Sequence, residues 1–497
     1  MNSLFKDIRF ITLFFTLLCV FFTGSSSFAQ EELSGAQSGI LPAGLYDVVD
    51  DITVEAYTDW NLDAGVQLRF LSGTALNVRG TLVAAGTESD SIRFSRYEED
   101  EPWDGISVFG WAYVRFQHAV ITGSNKTAIY SYNSGNLHIT DSRISNNSDI
   151  IDDYAGIHSQ SGLTDTLWNT TISDNDGIGY YWWNCFADIQ DCVFSGNTES
   201  AIRSSQAVGS IKNTLFIGNL ESGLINHASN IEIDSCEFIG NTAENGGAIR
   251  AHGGMTTVKR TLFTGNSATQ NGGVLSTGGN NGTHAQISHC VLANNSAESQ
   301  GSALYMSQTD VVSCIIVNNT GGSAIHCFDS DSPTFNSIFY NNDSDYTTES
   351  PLPYIHFGEI VTVNANGDSC DAYENLFRDP RFDLDLPYYL LADSPAIDAG
   401  NAQLEPLDPD NTITDIGVHY FDQLAVVEEW PLTQLPGSAG FLNAWPNPFN
   451  STVRLSYETP VPGVGSYTIY TVTGQLVESG VLNSRRGYNE LIWKAPD

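Results

Sequence analysis

The residues best suited to meeting a ligand lie in the middle of the chain. Tyr180-Tyr181-Trp182-Trp183 are four consecutive aromatics, and one alternating strand cannot bury all of them. One position beyond a recurring aliphatic residue stand Tyr130, His158, Gly179, Arg203, Asn226, Arg250, Ser276, Tyr305 and His326. That column is rich in rings and cations for so acidic a chain. Aromatic faces beside polar groups suit sugar rings, so Tyr130, His158, Tyr180, Tyr181, Trp182, Trp183, Arg203, Asn226, Arg250, Tyr305 and His326 are the expected binding residues. Asp152, Asp153 and His158 form the nearest acid–base cluster. Arg203 and Arg250, if two coils apart at about 10 Å, would bracket a carboxylated sugar. These five are the only catalytic candidates. Glycoside hydrolysis needs two facing carboxyls about 5–9 Å apart, and no pair can be assigned. GxSxG, P-loop and HExxH patterns are missing. His227, two positions beyond Ile225, is expected to point inward as a hydrogen-bonded core residue.

A repeat must position these side chains. Asn147, Asn175, Asn197, Asn219, Asn241, Asn266, Asn295, Asn319 and Asn342 follow one another at intervals of 22–29 residues. Three positions before them lie Ile144, Ile172, Phe194, Phe216, Phe238, Phe263, Leu292, Ile316 and Phe339. Five before them lie Ser142, Thr170, Cys192, Thr214, Cys236, Thr261, Cys290, Cys314 and Ser337, every one Ser, Thr or Cys. The segments leading to each Asn alternate, as in IEIDSCEF, and so predict strands with one buried face. Leucine-rich repeats would need Leu-x-x-Leu-x-Leu and a helical return, and propeller blades about 40 residues. One all-β turn per repeat leaves a parallel β-helix whose coils stack about 4.8 Å apart. The aromatic column then fills the core, and the Asn amides bond from coil to coil at a turn. The TAENG-type segment after each Asn is expected to be a loop free to vary in length.

Composition narrows the partners. The chain of 497 residues carries 20 Lys and Arg against 58 Asp and Glu, a net charge of −38. Such a surface repels phosphate backbones, so nucleic acid is excluded as a partner. Lys6 and Arg9, the apolar run Phe10–Phe22 and the small-x-small site Ser27-Phe28-Ala29 make residues 1–29 a secretory signal peptide. No later stretch is apolar enough for a membrane helix. Seven cysteines remain beyond the signal, with no zinc spacing. They are expected to be buried fillers, with Cys290 and Cys314 the one pair spaced for a bond. No cofactor is implied. Calcium is conceivable near Asp408, Asp410 and Asp415, but no loop of the required pattern supports it.

Phe238-Ile-Gly-Asn241 with Gly246-Gly-Ala-Ile249, and Phe263-Thr-Gly-Asn266 with Gly272-Gly-Val-Leu275, resemble the repeats of polymorphic outer-membrane proteins, a family of surface adhesins. More broadly the chain resembles the right-handed parallel β-helices of the pectate-lyase-like superfamily. AGVQLRFLSGTALNVRGTL and Trp103-Asp-Gly-Ile106 resemble their opening coils, and DPRFDLDLPYYLLADSPAIDAGN their closing segment. Together they imply a β-helix over 40–422 of about 15 coils. After a linker at 423–440, AWPNPFNSTVRLSYETP, with Pro446-Asn447-Pro448-Phe449-Asn450, and Thr473-Gly474-Gln475 resemble a type IX (Por) secretion sorting domain. That resemblance implies an Ig-like β-sandwich over 441–497, two strands short of the usual pattern, and the secretion machinery as a partner. The chain is thus expected to be all-β, secreted or held on the outer-membrane exterior. Its expected function is non-catalytic adhesion to a polysaccharide or another surface. The alternative is a polysaccharide lyase or glycoside hydrolase acting on an acidic polysaccharide, since pectate-lyase-like enzymes use an Arg or Lys base. A purely structural surface-layer role is the third reading.

Overall fold

A computed structural model describes residues 31–98, 102–133, 135–149, 154–277, 282–328, 332–349, 357–401 and 406–423, together with five strands between 440 and 494. Among them every regular element is a β-strand. Ala29–Asp422 forms one compact unit, a parallel solenoid of about 13 turns. Each mid-chain coil contributes three strands, one to each of three faces. Face A contains Ile129–Tyr132, Ile157–Gln160, Tyr180–Trp183 and Ile202–Ser205, and continues through the first halves of Leu224–Asp234 and Ile249–Lys259. Face B contains Asn136–Thr140, Thr164–Trp168, Phe186–Gln190 and Val208–Lys212. Face C contains Arg143–Ser145, Thr171–Ser173, Val193–Ser195, Leu215–Ile217, Glu237–Ile239 and Leu262–Thr264.

The repeated columns are the inner lining of these coils. Phe194, Phe216, Phe238 and Phe263 stack in register with centroids 5.4, 4.3 and 5.1 Å apart. After face C the chain turns through a left-handed residue such as Gly240 (φ 61°) or Gly265 (φ 66°), which is why Gly precedes Asn in these coils. The Asn that follows is buried. Asn241 Nδ2 donates to Phe216 O at 2.9 Å and to Asn266 Oδ1 at 3.0 Å, and its backbone N–H donates to the same Oδ1 at 3.0 Å. The same coil-to-coil bond runs from Asn147 to Asn342. Ser124 donates to Asn147 Oδ1 at one end, and Asn342 Nδ2 donates to Asp345 at the other. No buried amide in the ladder is left unpaired, as burial requires.

The Ser/Thr/Cys column closes the corner between faces B and C. Thr214, Thr261 and Ser337 donate their hydroxyls to the carbonyl two residues back, each at 2.8 Å. Cys192, Cys236, Cys290 and Cys314 make the same bond through sulfur at 3.2–3.3 Å. The corner therefore selects a small donor, whether oxygen or sulfur. The seven cysteines among the described residues, Cys290 and Cys314 included, are buried free thiols, and burial pushes the Cys192 and Cys236 thiols up to about 12.

Three features depart from expectation. The segment after the Asn is not always a loop: Thr242–Asn245, Ser267–Asn271 and Ser296–Ala297 pair as a small sheet of their own. The coils number about 13 rather than 15, because residues 357–401 and 406–422, rich in Asp and Pro, run as turns over the last coils and make only short strands. The core also holds a carboxyl. The inward row of face B reads Leu137, Asp165, Ala187, Gly209, Ile231, and its small members make room for two large inward rings from face A. A Cβ on Gly209 would lie 2.9 Å from Trp182 Cζ2. Asp165 accepts a 2.6 Å bond from Tyr180 OH, and burial pushes its carboxyl up to about 6.

Outside this unit, Gly440–Trp445, Thr452–Thr459 and Gly487–Lys494 form one antiparallel sheet, and Gly463–Tyr470 pairs with Leu476–Ser484. The motifs at 446–450 and 473–475 lie outside the described residues.

Candidate functional site

Face A points two rows of side chains outward, because alternate residues of each strand face solvent. The first row runs Tyr130, His158, Tyr181, Arg203, Ile225, Arg250, Ser276, Tyr305, His326. Beside it, the second runs Phe109, Tyr132, Gln160, Trp183, Ser205, His227, His252.

The upper part is aromatic. His158 sits among three rings, with centroids of Tyr154, Tyr181 and Tyr130 at 4.4, 4.9 and 5.1 Å. Tyr154 and Tyr181 stack at 4.8 Å, and Tyr130 stacks with Tyr132 at 6.5 Å. Desolvation by these rings lowers the His158 pKa to about 4, so the imidazole is neutral at neutral pH and presents itself as part of a ring surface. Tyr132 is the most exposed ring of the cluster, at 40%.

Below the rings the face is cationic. Arg203 is held by Glu221 at 2.5 Å and Glu199 at 3.7 Å. Ile225 lies between the two arginines and is buried. Arg250 donates from Nε to His252 Nε2 at 2.7 Å and has no carboxylate partner among the described residues. His252 stacks on His227 at 5.4 Å, and burial together with Arg250 lowers its pKa to about 4. Farther along, Tyr305 stacks on His326 at 5.3 Å, and His326 reaches Glu349 at 3.6 Å while remaining only 3% exposed.

Tyr130, His158, Tyr181, Trp183, Arg203, Arg250, Tyr305 and His326 thus share one face, with the two arginines two coils apart. Tyr180 and Trp182 do not belong to it: both are fully buried and point inward. Asn226 is also inward, donating to Ser229 O at 3.1 Å and Thr256 Oγ1 at 2.9 Å, while His227 points outward and is exposed. These corrections share one cause. Leu224, not Ile225, is the core anchor of its coil, and a slip of one residue exchanges the two faces of a strand. A small residue before the anchor marks it: Ala201-Ile202, Gly223-Leu224, Ala248-Ile249 and, with an aromatic anchor, Gly179-Tyr180. Gly179 therefore precedes the row and is not a member of it. Phe109, Tyr132, Tyr154 and His252 escaped the sequence reading, although the same rule places three of them. Tyr154 lies outside the strands, just before Ile157–Gln160, and carried no signal. Asp152 and Asp153 lie outside the described residues. Among the described residues no cluster of three or more metal-ligating side chains occurs.

Residues 87–238 match the family of right-handed β-helix regions. The solenoid is a right-handed parallel β-helix. No curated protein matches the chain. Solved structures similar to it include a periplasmic alginate epimerase, 12% identical over 64% of this chain and 76% of that one, with a TM-score of 0.34. A pectate lyase is 14% identical over 78% and 87%, with a TM-score of 0.29. A tailspike protein of an E. coli bacteriophage, solved with a pentasaccharide, is 9% identical over 90% and 86%, with a TM-score of 0.25. At such TM-scores none of these likenesses bears on what the chain binds.

Proposed function

We propose that this chain is a secreted or surface-held protein that binds polysaccharide along face A without cleaving it. The observation that carries the reading is the pair of outward rows, where rings from Phe109 to Trp183 line up over consecutive coils and lead to Arg203 and Arg250. Stacked coils repeat at about 4.8 Å, close to the length of one sugar residue in a chain, so a linear glycan can meet equivalent groups coil after coil. Rings give the apolar faces of sugars a surface, and the arginine and histidine edges take hydroxyls or a carboxylate. Export fits the signal-like residues 1–29 and the sorting-domain resemblance of 441–497.

The competing reading, a lyase or hydrolase on the same face, needs a free acid or base. Glu199 and Glu221 both lie against Arg203, and a pKa of about 4 makes His158 a weak base, so these groups favour binding; the lyase reading would rest on Arg250. A glycan array probed with the mature chain is the test, paired with ultraviolet detection of unsaturated products. Retention of glycans that weakens in Tyr181→Ala and Trp183→Ala is expected, without product release. If no glycan is retained the proposal fails, and product formation would replace it with the lyase reading.

A further inference from the structure

A second groove lies away from the aromatic face. It opens where the closing segment crosses the outer side of face B. A cleft of about 680 Å³ runs between the strands Ile249–Lys259, Thr283–Ser288 and Thr309–Val312 on one side and residues 406–420 on the other. A second hollow of about 240 Å³ adjoins it, and Gln286 and Asp310 line both. The combined space falls in the range of small-ligand sites.

Its chemistry is two-sided. Gln286 and Asp310 stand opposite each other on adjacent coils, and among the described residues neither side chain has a hydrogen-bond or ion-pair partner. Leu407, 57% exposed, and Pro409 line the same cleft from the closing segment. The cations that share the cleft are already neutralised, Lys259 by Glu232 at 3.5 Å and Arg260 by Asp234. Asp408 adds a further carboxyl to the wall. Among the described residues an anionic ligand would therefore meet Asp310 with no unpaired Lys or Arg to receive it, only the imidazoles of His284 and His289. An apolar wall opposite unpaired amide and carboxylate groups fits a ligand with one apolar face and a rim of hydroxyls.

We propose that this cleft is a second saccharide site, separate from face A, which takes short neutral oligosaccharides and rejects uronate-containing ones. Gln286 and Asp310 bond hydroxyls of consecutive sugars across adjacent coils, while Leu407 and Pro409 cover the apolar ring faces. The site does not depend on the reading of face A.

Titration calorimetry of the mature chain with cellopentaose, xylopentaose, mannopentaose and penta-galacturonate is the test. At least one neutral pentasaccharide is expected to bind. The double variant Gln286→Ala/Asp310→Ala should weaken it tenfold or more at an unchanged melting temperature, and Leu407→Ala should weaken it severalfold. Tyr181→Ala/Trp183→Ala should leave it unchanged, and penta-galacturonate should not compete. Three silent neutral sugars, or binding indifferent to both cleft variants, would overturn the site. So would competition by penta-galacturonate. Loss of binding only in the Tyr181→Ala/Trp183→Ala variant would also overturn it, while leaving the face A proposal standing.

Discussion

Asn241 and Arg250 belong to one coil, nine residues apart, yet different physics governs them. Asn241 is buried, repeats from Asn147 to Asn342, and bonds its counterpart in the next coil. Its identity is fixed because every copy must be both the donor to one neighbour and the acceptor for another. Arg250 faces outward between Ile225 and Ser276, so its neighbours in the row are nothing like it. Stacking forces likeness on the inner columns and leaves the outer rows free to differ. The scaffold can be read from what repeats, and recognition must be sought in what does not.

The largest expected effect breaks the inner ladder. Asn241→Asp removes two donated bonds, to Phe216 O and Asn266 Oδ1, and places a carboxylate against another acceptor. Each buried group left unpaired costs about 1–3 kcal/mol, so a loss of about 3 kcal/mol is expected in urea unfolding at neutral pH. An unchanged midpoint would mean that the ladder contributes little to stability.

Asp165→Asn should act in the opposite direction. The native carboxyl titrates at about 6 against an ordinary value of 3.8. Between those values the folded chain holds a proton that the unfolded chain has released, so stability falls as pH rises through the window and stays low above it. Asn keeps an acceptor for Tyr180 OH and carries no charge. Relative to wild type, the variant should gain on the order of 2–3 kcal/mol above pH 7 and little below pH 4. Parallel melting curves for the two proteins from pH 4 to pH 8 would contradict this. Asp415, also pushed up to about 6 by burial, is common to both proteins and cancels in the difference.

On the outer side, Tyr181→Ala removes a ring that stacks on Tyr154 and flanks His158. Melting should change little, while affinity for a retained glycan should fall about tenfold, or about 1.4 kcal/mol. A large fall in melting temperature would instead assign the rings of face A a packing role, and the contrast between inner and outer columns would blur.

The same contrast explains what was legible in the sequence. The solenoid, the Asn ladder and the Ser/Thr/Cys column could be read because stacking repeats one residue type at one place. The outward rows could be read only in part. Where Tyr180 replaces an aliphatic anchor, or Ile225 occupies an outward position, residue type no longer reports which way a strand faces. Asp165 looks like any polar residue of a strand until Ala187 and Gly209 are seen to make space opposite Trp182. The cleft at Gln286 and Asp310 has no sequence signature, because its other wall comes from residues about a hundred positions later in the chain.

The smallest effect tests how narrow the inner requirement is. At the corner between faces B and C the column accepts Ser, Thr and Cys, which share only small size and a donor. Each donates to the carbonyl two residues back, as Thr261 does to Lys259 O and Cys236 to Asp234 O. If the hydrogen bonds are what matter, Thr261→Val keeps the shape, loses that bond and the one accepted from Cys236 N–H, and should cost about 1 kcal/mol or somewhat more. Cys236→Ser keeps a donor in a corner that already accommodates Ser142 and Ser337, and should cost about half as much or less. If instead the corner requires only small volume, Thr261→Val will be the milder of the two. That reversal would leave the Asn ladder as the hydrogen-bonded inner column that sets residue identity, with the Ser/Thr/Cys column reduced to filling space.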